Sequence, residues 1–304
     1  MEVSVVIPVY NSELILPILC QQLKDALQSH LYEVILINDG SPDESWSVIE
    51  RICDNNEAFR GICLTRNFGQ DNAIIAGLHH ARGNFVVIMD DDLQHSPYDI
   101  GLLLRAGEAG SDVCYADYSH AKFQSWWKNL GSFLNAKQAE YLIAKPRDIY
   151  LSPFKSISRM VVDSILSYQG PYPYIDGLIF RSTTSIVQVP VKHHKRQQGL
   201  GNYNLKKSLS VFMKHATGFS VVPLRFASLC GVGASFISVF LAFYYIYQFL
   251  VDDMTIEGWT TLVVLVLFIG GMILLSLGII GEYLGRMYLS INQRPQFIVR
   301  KIKP

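Results

Sequence analysis

Three consecutive carboxylates carry the clearest chemical signal in this chain. Asp90, Asp91 and Asp92 directly follow the apolar run Phe85–Met89, and Gln94 comes two residues later. Adjacent anions repel one another and are costly to desolvate, so a folded protein tolerates them best beside a bound cation. Oxygen ligands at the carboxyl end of a strand suit Mg²⁺ or Mn²⁺, and such an ion commonly carries a phosphate as well. A solvated acidic turn is the alternative for an isolated triplet.

Similar polar clusters follow three other short apolar segments, at residues 3–9, 34–37 and 62–64. A helical pattern comes after each of them. Strands that alternate with helices of this length indicate a parallel, doubly wound α/β sheet, whose binding crevice lies at the carboxyl ends of the strands. Four polar clusters on that one edge predict a nucleotide site. The three further clusters are Pro8-Val-Tyr-Asn11, Asn38-Asp-Gly-Ser41 and Arg66-Asn-Phe-Gly69.

Taken together, these motifs resemble those of family 2 glycosyltransferases with the GT-A fold. The most similar branch comprises the polyprenyl-phosphate glycosyltransferases: dolichyl-phosphate mannose synthase, undecaprenyl-phosphate glucosyltransferase and the aminoarabinose transferase. The resemblance runs from Val3 to about Arg300. It implies a Rossmann-like catalytic domain followed by interfacial helices and two transmembrane helices. The chain departs from the family pattern at two positions, with Ser12 where many members have Glu and Asp91 where Ala is usual.

The resemblance also assigns the donor site. The metal motif falls on Asp90 and Asp92, with Gln94 as a further ligand of Mg²⁺ or Mn²⁺. Asp39 matches the residue that contacts the nucleobase, and Pro8 and Tyr10 match the wall around it. The complete set expected to bind the nucleotide sugar is Pro8, Tyr10, Asn11, Asp39, Gly40, Arg66, Asn67, Gly69, Asp90 and Asp91.

A basic loop at residues 193–203 matches another family segment, Arg-x-x-Gly-x-Ser-x-Tyr. Arg196, Gly199 and Tyr203 fit the pattern, while Gly201 replaces its Ser. An Arg on a glycine-jointed loop can close over a bound diphosphate and neutralise the charge that departs with it. A solvated basic turn is the alternative.

The acceptor implied by the resemblance is a polyprenyl phosphate. Lys155 matches a basic position in the family's Phe-Arg segment, and a second family cation falls near the uncharged Tyr118, where Lys122 is the candidate substitute. We therefore expect Lys155, Lys122 and Tyr203 to bind the acceptor, and Asp92, Arg196 and Lys155 to carry catalysis. A phosphate monoester is anionic at neutral pH, so it can attack the anomeric carbon without a strong general base. Single displacement would invert the anomeric configuration.

Composition indicates a membrane protein. Half of the chain is hydrophobic, 17% is charged, and the mean hydropathy of +0.21 is high for a purely soluble protein. Two apolar runs, at about 224–251 and 259–283, are each long enough to cross a hydrocarbon core of ~30 Å. Buried core helices are the alternative. Cations interleaved with aromatic or apolar residues predict an interfacial helix at about 122–143, within a catalytic domain of residues 1–204, and an amphipathic juxtamembrane helix at 205–222.

Charge predicts the orientation. The connector between the two runs, Asp252–Gly258, has three acidic residues and no basic one, whereas the tail at 285–304 is basic. The positive-inside rule then places the catalytic domain and the tail in the cytoplasm, at the inner membrane. The first residues form no basic segment typical of a signal peptide, and five cysteines without metal-like spacing fit reduced thiols. A formal net charge of zero gives no support to nucleic-acid binding.

The expected function is inverting transfer of a sugar from a nucleotide sugar, with UDP favoured, to polyprenyl (undecaprenyl) phosphate on the cytoplasmic leaflet. The product would be a lipid-linked sugar donor for modification of envelope glycans such as lipopolysaccharide. Expected partners are the nucleotide sugar, the polyprenyl phosphate and the lipid bilayer. The resemblance further implies that the chain forms a homo-oligomer, a tetramer. The alternatives are a membrane glycosyltransferase with a glycan or diacylglycerol acceptor, and a non-catalytic transferase-like binding protein.

Overall fold

The computed structural model of the protein describes residues 2–118, 149–170, 173–191, 222–251, 258–292 and 295–304. The chain divides into two compact units, Met1–Tyr203 with Gln293–Pro304, and Asn204–Asn292. Several predictions fall outside the described residues: those at Lys122, Arg196 and Tyr203, those for the interfacial segments at 122–143 and 205–221, and that for the connector at 252–257.

The first unit is built on an eight-stranded sheet with the strand order β7-β5-β6-β4-β1-β2-β3-β8. Its central pairs, β1 with β2, β1 with β4 and β2 with β3, are parallel. The pair β5 with β7 is also parallel, while β6 and β8 pair antiparallel to their neighbours. The strands are β1 Val3–Val9, β2 Tyr32–Asn38, β3 Phe59–Leu64, β4 Phe85–Ile88, β5 Val113–Asp117, β6 Lys155–Ser158, β7 Ile186–Pro190 and β8 Val299–Lys303.

Helices connect and cover these strands. They are α1 Leu16–Ala26, α2 Ser45–Asp54, α3 Gln70–His80, α4 Ile100–Glu108, α5 Arg159–Leu166 and α6 Ile175–Ser182, with a 3₁₀ turn at Pro97–Asp99 before α4. Strand β1 is buried along its whole length, as expected of a parallel strand covered on both faces. Gly77 of α3 lets that helix lie directly on the sheet, because a Cβ there would come within 2.5 Å of Val6 and 2.7 Å of Ile37. The predicted α/β architecture with a mostly parallel sheet is thus confirmed.

Strand β8 was not anticipated from the sequence, which indicated only a basic tail at 285–304. Residues Val299–Lys303 instead pair antiparallel with β3 and form one edge of the sheet. Lysines on an edge strand discourage pairing with another chain, and here they also meet acidic groups of α2. Lys301 Nζ lies 2.5 Å from Glu50 Oε1, and Lys303 Nζ lies 2.6 Å from Asp54 Oδ1.

The second unit contains two long helices that pack against each other, α7 Val222–Val251 and α8 Trp259–Ile291. Among the described residues, one helical segment is long and apolar enough to cross a membrane, the 24 residues Phe268–Ile291. The apolar stretch that stands out in α7, Ala227–Leu241, is shorter. The structure therefore bears out one candidate span, and the second span stays a prediction.

Candidate active site

The turns after β1 and β2 lie side by side at the carboxyl edge of the sheet. Val9 pairs with Asn38 in the parallel register, and Asp39 N donates to Val9 O at 3.0 Å. Asn11 adopts a left-handed conformation with φ 59°, and its N–H donates to Ser41 Oγ at 3.2 Å. Such backbone strain in a non-glycine residue is typical of functional turns.

Asp91, the middle carboxylate of the triplet, points into this turn. Its Oδ2 accepts a hydrogen bond from Ser12 Oγ at 2.6 Å and another from Tyr10 N at 3.2 Å. Burial raises the pKa of Asp91, and these two donors oppose the rise. Asp91 therefore ties the end of β4 to the turn after β1, which is a structural task distinct from metal binding.

The two outer carboxylates, Asp90 and Asp92, are half-buried. Asp90 Oδ1 accepts a hydrogen bond from Gln70 Nε2 at 2.7 Å, and its Oδ2 lies 4.0 Å from His95 Nε2. Asp92 Oδ1 accepts the backbone N–H of Gln94 at 3.1 Å. Within the described parts of the chain, no group of three or more His, Cys, Asp or Glu side chains is arranged to hold a metal ion. The predicted ligands are thus two carboxylates and one amide on a single tight turn.

Leu93 shapes that turn. It has φ 59°, in the left-handed region that a branched side chain rarely adopts, and it is only 8% exposed. Its buried side chain belongs to the core cluster. Packing in the core therefore stabilises the strained backbone between Asp92 and Gln94.

Asp39 organises the next loop, at residues 66–69. Its Oδ1 accepts the N–H of Phe68 at 2.7 Å, and its Oδ2 accepts the N–H of Gly69 at 2.9 Å. Burial raises the pKa of Asp39, and these two backbone donors oppose the rise. Gly40, with φ 64°, is needed for this contact because a Cβ would lie 2.5 Å from the carbonyl carbon of Arg66. The carboxylate is occupied by the loop, so its predicted contact with a nucleobase stays a prediction.

The remaining residues predicted to bind the nucleotide lie in this loop, in β1 and in the turn after β1. Tyr10 is 52% exposed, and Arg66 and Asn67 are also exposed. The guanidinium of Arg66 lies over the ring of Phe68, 4.8 Å from its centroid. Pro8 is buried within β1. The edge of the sheet thus offers an exposed aromatic ring, a cation and an amide above a buried floor.

Lys155 occupies a separate cavity of about 230 Å³, which Gln70 and Ser152 also line. The lysine is 3% exposed and forms an ion pair with Asp176. The hydroxyl of Tyr115 donates to Asp176 Oδ1 at 2.8 Å, and Lys155 Nζ lies 5.0 Å from the centroid of the Tyr115 ring.

A second carboxyl group, Asp71, lines the same cavity. Burial and, after it, the nearby Asp176 raise the pKa of Asp71 to about 6, whereas the N–H of Ile175 and the ammonium of Lys155 oppose the rise. The sequence assigned a role to Lys155 and left open whether Asp176 has a catalytic role. An isolated acidic residue in the first turn of a helix, such as Asp176 in α6, is common, so the sequence did not predict its contact with Lys155.

A protein-family model described as glycosyl transferase family 2 matches residues 4–166, more than half of the chain. The chain belongs to glycosyl transferase family 2. It is 33% identical to an uncharacterised glycosyltransferase of Bacillus subtilis, over 98% of this chain and 93% of that protein.

Two further relatives have more specific names. Identity is 32% to an undecaprenyl-phosphate 4-deoxy-4-formamido-L-arabinose transferase of Aeromonas hydrophila, over 99% of this chain and 93% of the relative. The chain is also 29% identical to a prophage-derived bactoprenol glucosyl transferase of Shigella flexneri, over 99% of this chain and 98% of that relative. These matches confirm the resemblance to the polyprenyl-phosphate branch of the family.

Among solved structures, glucosyl-3-phosphoglycerate synthase from Mycobacterium tuberculosis, in complex with Mn²⁺, UDP and phosphoglyceric acid, is similar with a TM-score of 0.55. The match covers 71% of this chain and 76% of that chain at 16% identity. At this identity the likeness establishes the GT-A-like fold and nothing about the substrate.

Proposed function

We propose that this glycosyltransferase transfers a sugar from a nucleotide sugar, with UDP favoured, to polyprenyl phosphate. The observation that carries the proposal is the length of the similarity. The bactoprenol and undecaprenyl-phosphate transferases match over nearly the whole chain, beyond the part that the family model covers. The common region therefore includes both the donor edge of the sheet and the helical unit.

The donor diphosphate would lie beside the turn at residues 90–94. Ser12 and Tyr10 hold Asp91 in the turn after β1, and the proposed ligands of an ion are Asp90, Asp92 and Gln94. Two carboxylates and one amide fit Mg²⁺ or Mn²⁺, because such ions are commonly held by one or two carboxylates plus substrate phosphates. When bound, the ion would supply charge that stabilises the departing nucleoside diphosphate. Arg196 is proposed to add a second positive charge there.

The nucleobase would lie along the loop at 66–69. Asp39 fixes this loop through two backbone N–H groups. Arg66 in this loop and Tyr10 in the turn after β1 are exposed, and an aromatic ring and a guanidinium both suit stacking on a base. We therefore assign nucleobase contact to the loop and to Tyr10, and the geometry of the loop to Asp39.

The acceptor phosphate is assigned to Lys155. The phosphate oxygen attacks the anomeric carbon, the bond from that carbon to the diphosphate breaks, and the configuration inverts. Since the phosphate is already anionic, no strong general base is required. Lys155 would hold the phosphate as a point charge, a role that does not need the bidentate geometry of Arg.

The chain topology supports two membrane crossings. Strand β8 follows the second helix, yet it pairs with β3 of the first unit. A chain that leaves a folded domain and returns to the same domain must cross a bilayer an even number of times. Phe268–Ile291 is one candidate span, so we propose α7 as the other. Exposed apolar side chains on α7, such as Phe236 and Phe240, suit contact with lipid.

With two crossings, residues 1–204 and the end of the chain would lie on the same side of the membrane. Because nucleotide sugars are assumed to be supplied in the cytoplasm, we propose that this side is cytoplasmic and that the membrane is the inner membrane. The interfacial segments at 122–143 and 205–222 and a homo-oligomeric assembly are kept as further proposals.

The decisive experiment uses membranes that contain the full chain. They are incubated with a panel of radiolabelled sugar nucleotides and Mn²⁺ or Mg²⁺, with undecaprenyl phosphate, dolichyl phosphate or diacylglycerol as the added acceptor. We expect label in the lipid extract with one of the polyprenyl phosphates and none with the neutral lipid. Label in diacylglycerol or in a glycan fraction would favour the alternative acceptors. Absence of both transfer and sugar-nucleotide hydrolysis across the panel would favour a binding protein.

A further inference from the structure

The ammonium of Lys155 already has a partner in the cavity that we assign to the acceptor. Asp176 pairs with it, and the side chains of Lys155 and Asp176 are 4% and 16% exposed. A lysine this deeply buried needs a counter-ion, since an unpaired buried charge is strongly destabilising. An acceptor phosphate therefore has to compete with Asp176 for the same ammonium group.

We propose that Asp176 is a positioning residue for the acceptor, acting as a resident counter-ion that leaves Lys155 when a phosphate enters, while Tyr115 retains Asp176. This inference rests on the proposed function, which assigns the acceptor phosphate to Lys155. It concerns a residue whose catalytic role the sequence alone leaves open.

The exchange keeps the ammonium group of Lys155 paired with an anion. Lys155 gives up a carboxylate and gains a phosphate, so its ammonium is never left without an anion. Its four-carbon stem and three rotatable donors allow it to turn between the two. Asp176 keeps the hydrogen bond from the hydroxyl of Tyr115 at 2.8 Å. The pKa of Tyr115 is held well above its ordinary value by burial and by Asp176, so the hydroxyl stays protonated as a donor.

The cavity lies beside the donor motif. Gln70 lines it and donates from Nε2 to Asp90 Oδ1 at 2.7 Å, so a single side chain joins the cavity to the predicted metal ligands. Its volume of about 230 Å³ leaves room for a phosphate group. Asp71 adds a second carboxyl group to the wall, and its pKa of about 6 means that protonation there can reduce the negative charge facing an incoming phosphate.

Two substitutions should change acceptor affinity in opposite directions. Asp176→Asn removes the competing charge yet retains an oxygen that can accept from Tyr115, so the KM for undecaprenyl phosphate should fall at least about threefold. Tyr115→Phe removes the hydroxyl that donates to Asp176, so that of Tyr115 and Lys155 only the lysine still contacts this carboxylate. Release of the lysine then costs more, and the KM for undecaprenyl phosphate should rise at least about threefold. The KM for the sugar nucleotide should stay unchanged in both variants.

The assay is steady-state transfer by the full chain in detergent, with undecaprenyl phosphate and the sugar nucleotide that supports transfer in the panel above. Asp54→Asn is the matched control, because it removes the carboxylate of an exposed pair with Lys303 and should leave both KM values at the wild-type level. The double variant Lys155→Met/Asp176→Asn should match Lys155→Met alone, since Asp176 acts through the lysine.

The outcomes separate the two proposals. A wild-type enzyme that glycosylates no polyprenyl phosphate overturns the proposed function, and this inference with it. A wild-type enzyme that does so, together with an Asp176→Asn variant whose acceptor KM is unchanged or raised, overturns the inference alone. If Asp176→Asn does not fold, Tyr115→Phe decides, and an unchanged or lowered acceptor KM in that variant overturns the inference.

Discussion

Ser12 and Asp91 are hydrogen-bonded to each other, with Ser12 Oγ donating to Asp91 Oδ2 at 2.6 Å. These are the same two positions at which the chain departs from the family pattern, which commonly has Glu at the first and Ala at the second. In this chain the carboxylate is at position 91 and the smaller hydroxyl residue at position 12, and we infer that the two departures compensate for each other.

This pairing predicts that the two substitutions depend on each other. Ser12→Glu should place a second carboxylate against the half-buried Asp91. Asp91→Ala should leave the N–H of Tyr10 without its acceptor and the hydroxyl of Ser12 with the carbonyl of Tyr10 alone. Each substitution should cost about 1–3 kcal/mol. The double variant Ser12→Glu/Asp91→Ala restores the family arrangement and should recover most of the loss. The measurements are thermal unfolding and specific activity in a double-mutant cycle. Strictly additive losses would show that the two residues are independent.

Catalysis should require a divalent metal and the outer carboxylates. Asp92→Ala should lower kcat/KM at least ~30- to 150-fold, which corresponds to a loss of about 2–3 kcal/mol of transition-state stabilisation. The reason is that charge on the leaving diphosphate is no longer compensated. Full activity in excess chelator, or near-normal turnover by this variant, would contradict the assignment. Asp163→Asn serves as a control because its carboxylate is exposed on α5, 3.8 Å from Arg159.

The proposed topology can be tested by cysteine labelling in intact cells. Thr255→Cys places a thiol in the acidic connector, and Pro304→Cys places one at the end of the chain. We expect an impermeant maleimide to label the first in intact cells and the second only after permeabilisation. Cys20 and Cys53 should contribute little background, because burial raises the pKa of Cys20 to about 12 and of Cys53 to about 11. The reverse pattern would place the active site on the outer side.

The sheet and its polar edge could be predicted because each physical cause is local. A parallel strand buried on both faces needs a continuous apolar run, and such runs precede all four polar clusters. The direction of individual carboxylates could not be predicted in this way. Asp39 and Asp91 both turn toward backbone N–H groups of neighbouring loops, and those donors do not appear in a sequence pattern.

The pairing of Lys155 with Asp176 and the edge strand could not be predicted, for related reasons. Asp176 is 21 positions from Lys155 and 61 from Tyr115, so only the fold brings the three side chains together. In Val299–Lys303, three of five residues are charged, which conceals the alternation expected of a strand. The acidic residues of α2 that neutralise two of these charges are about 250 positions away.

Strand β8 should support the nucleotide loop. Thr65 N donates to Ile298 O at 2.9 Å, and Arg300 donates to Thr65 O at 3.1 Å, directly before the loop at 66–69. Deletion of residues 299–304 should therefore weaken UDP binding at least about threefold while the acceptor KM stays unchanged. Lys303→Ala is the control, because it removes one surface ion pair and retains the strand. UDP titration by calorimetry gives the affinity, and an unchanged value would show that the loop is independent of β8.

Asp71 should make stability depend on pH in an unusual direction. Its pKa of about 6 in the folded protein lies above the ordinary value of 3.8, so the folded state binds more protons than the unfolded state between these pH values. Stability is therefore lost as the pH rises through this interval. Asp71→Asn removes the cost of ionisation while its side-chain oxygen can still accept the N–H of Ile175.

The gain from Asp71→Asn should be small near pH 4 and reach about 1–3 kcal/mol above pH 7. Thermal unfolding of the full chain in detergent at several pH values measures it, with Asp54→Asn as the exposed control. A gain that is equal at pH 4 and pH 8 would show that the substitution acts through packing and not through ionisation. A loss of stability at pH 8 would mean that the ionised carboxylate is itself stabilising in the cavity, which the burial of Asp71 and its proximity to Asp176 argue against.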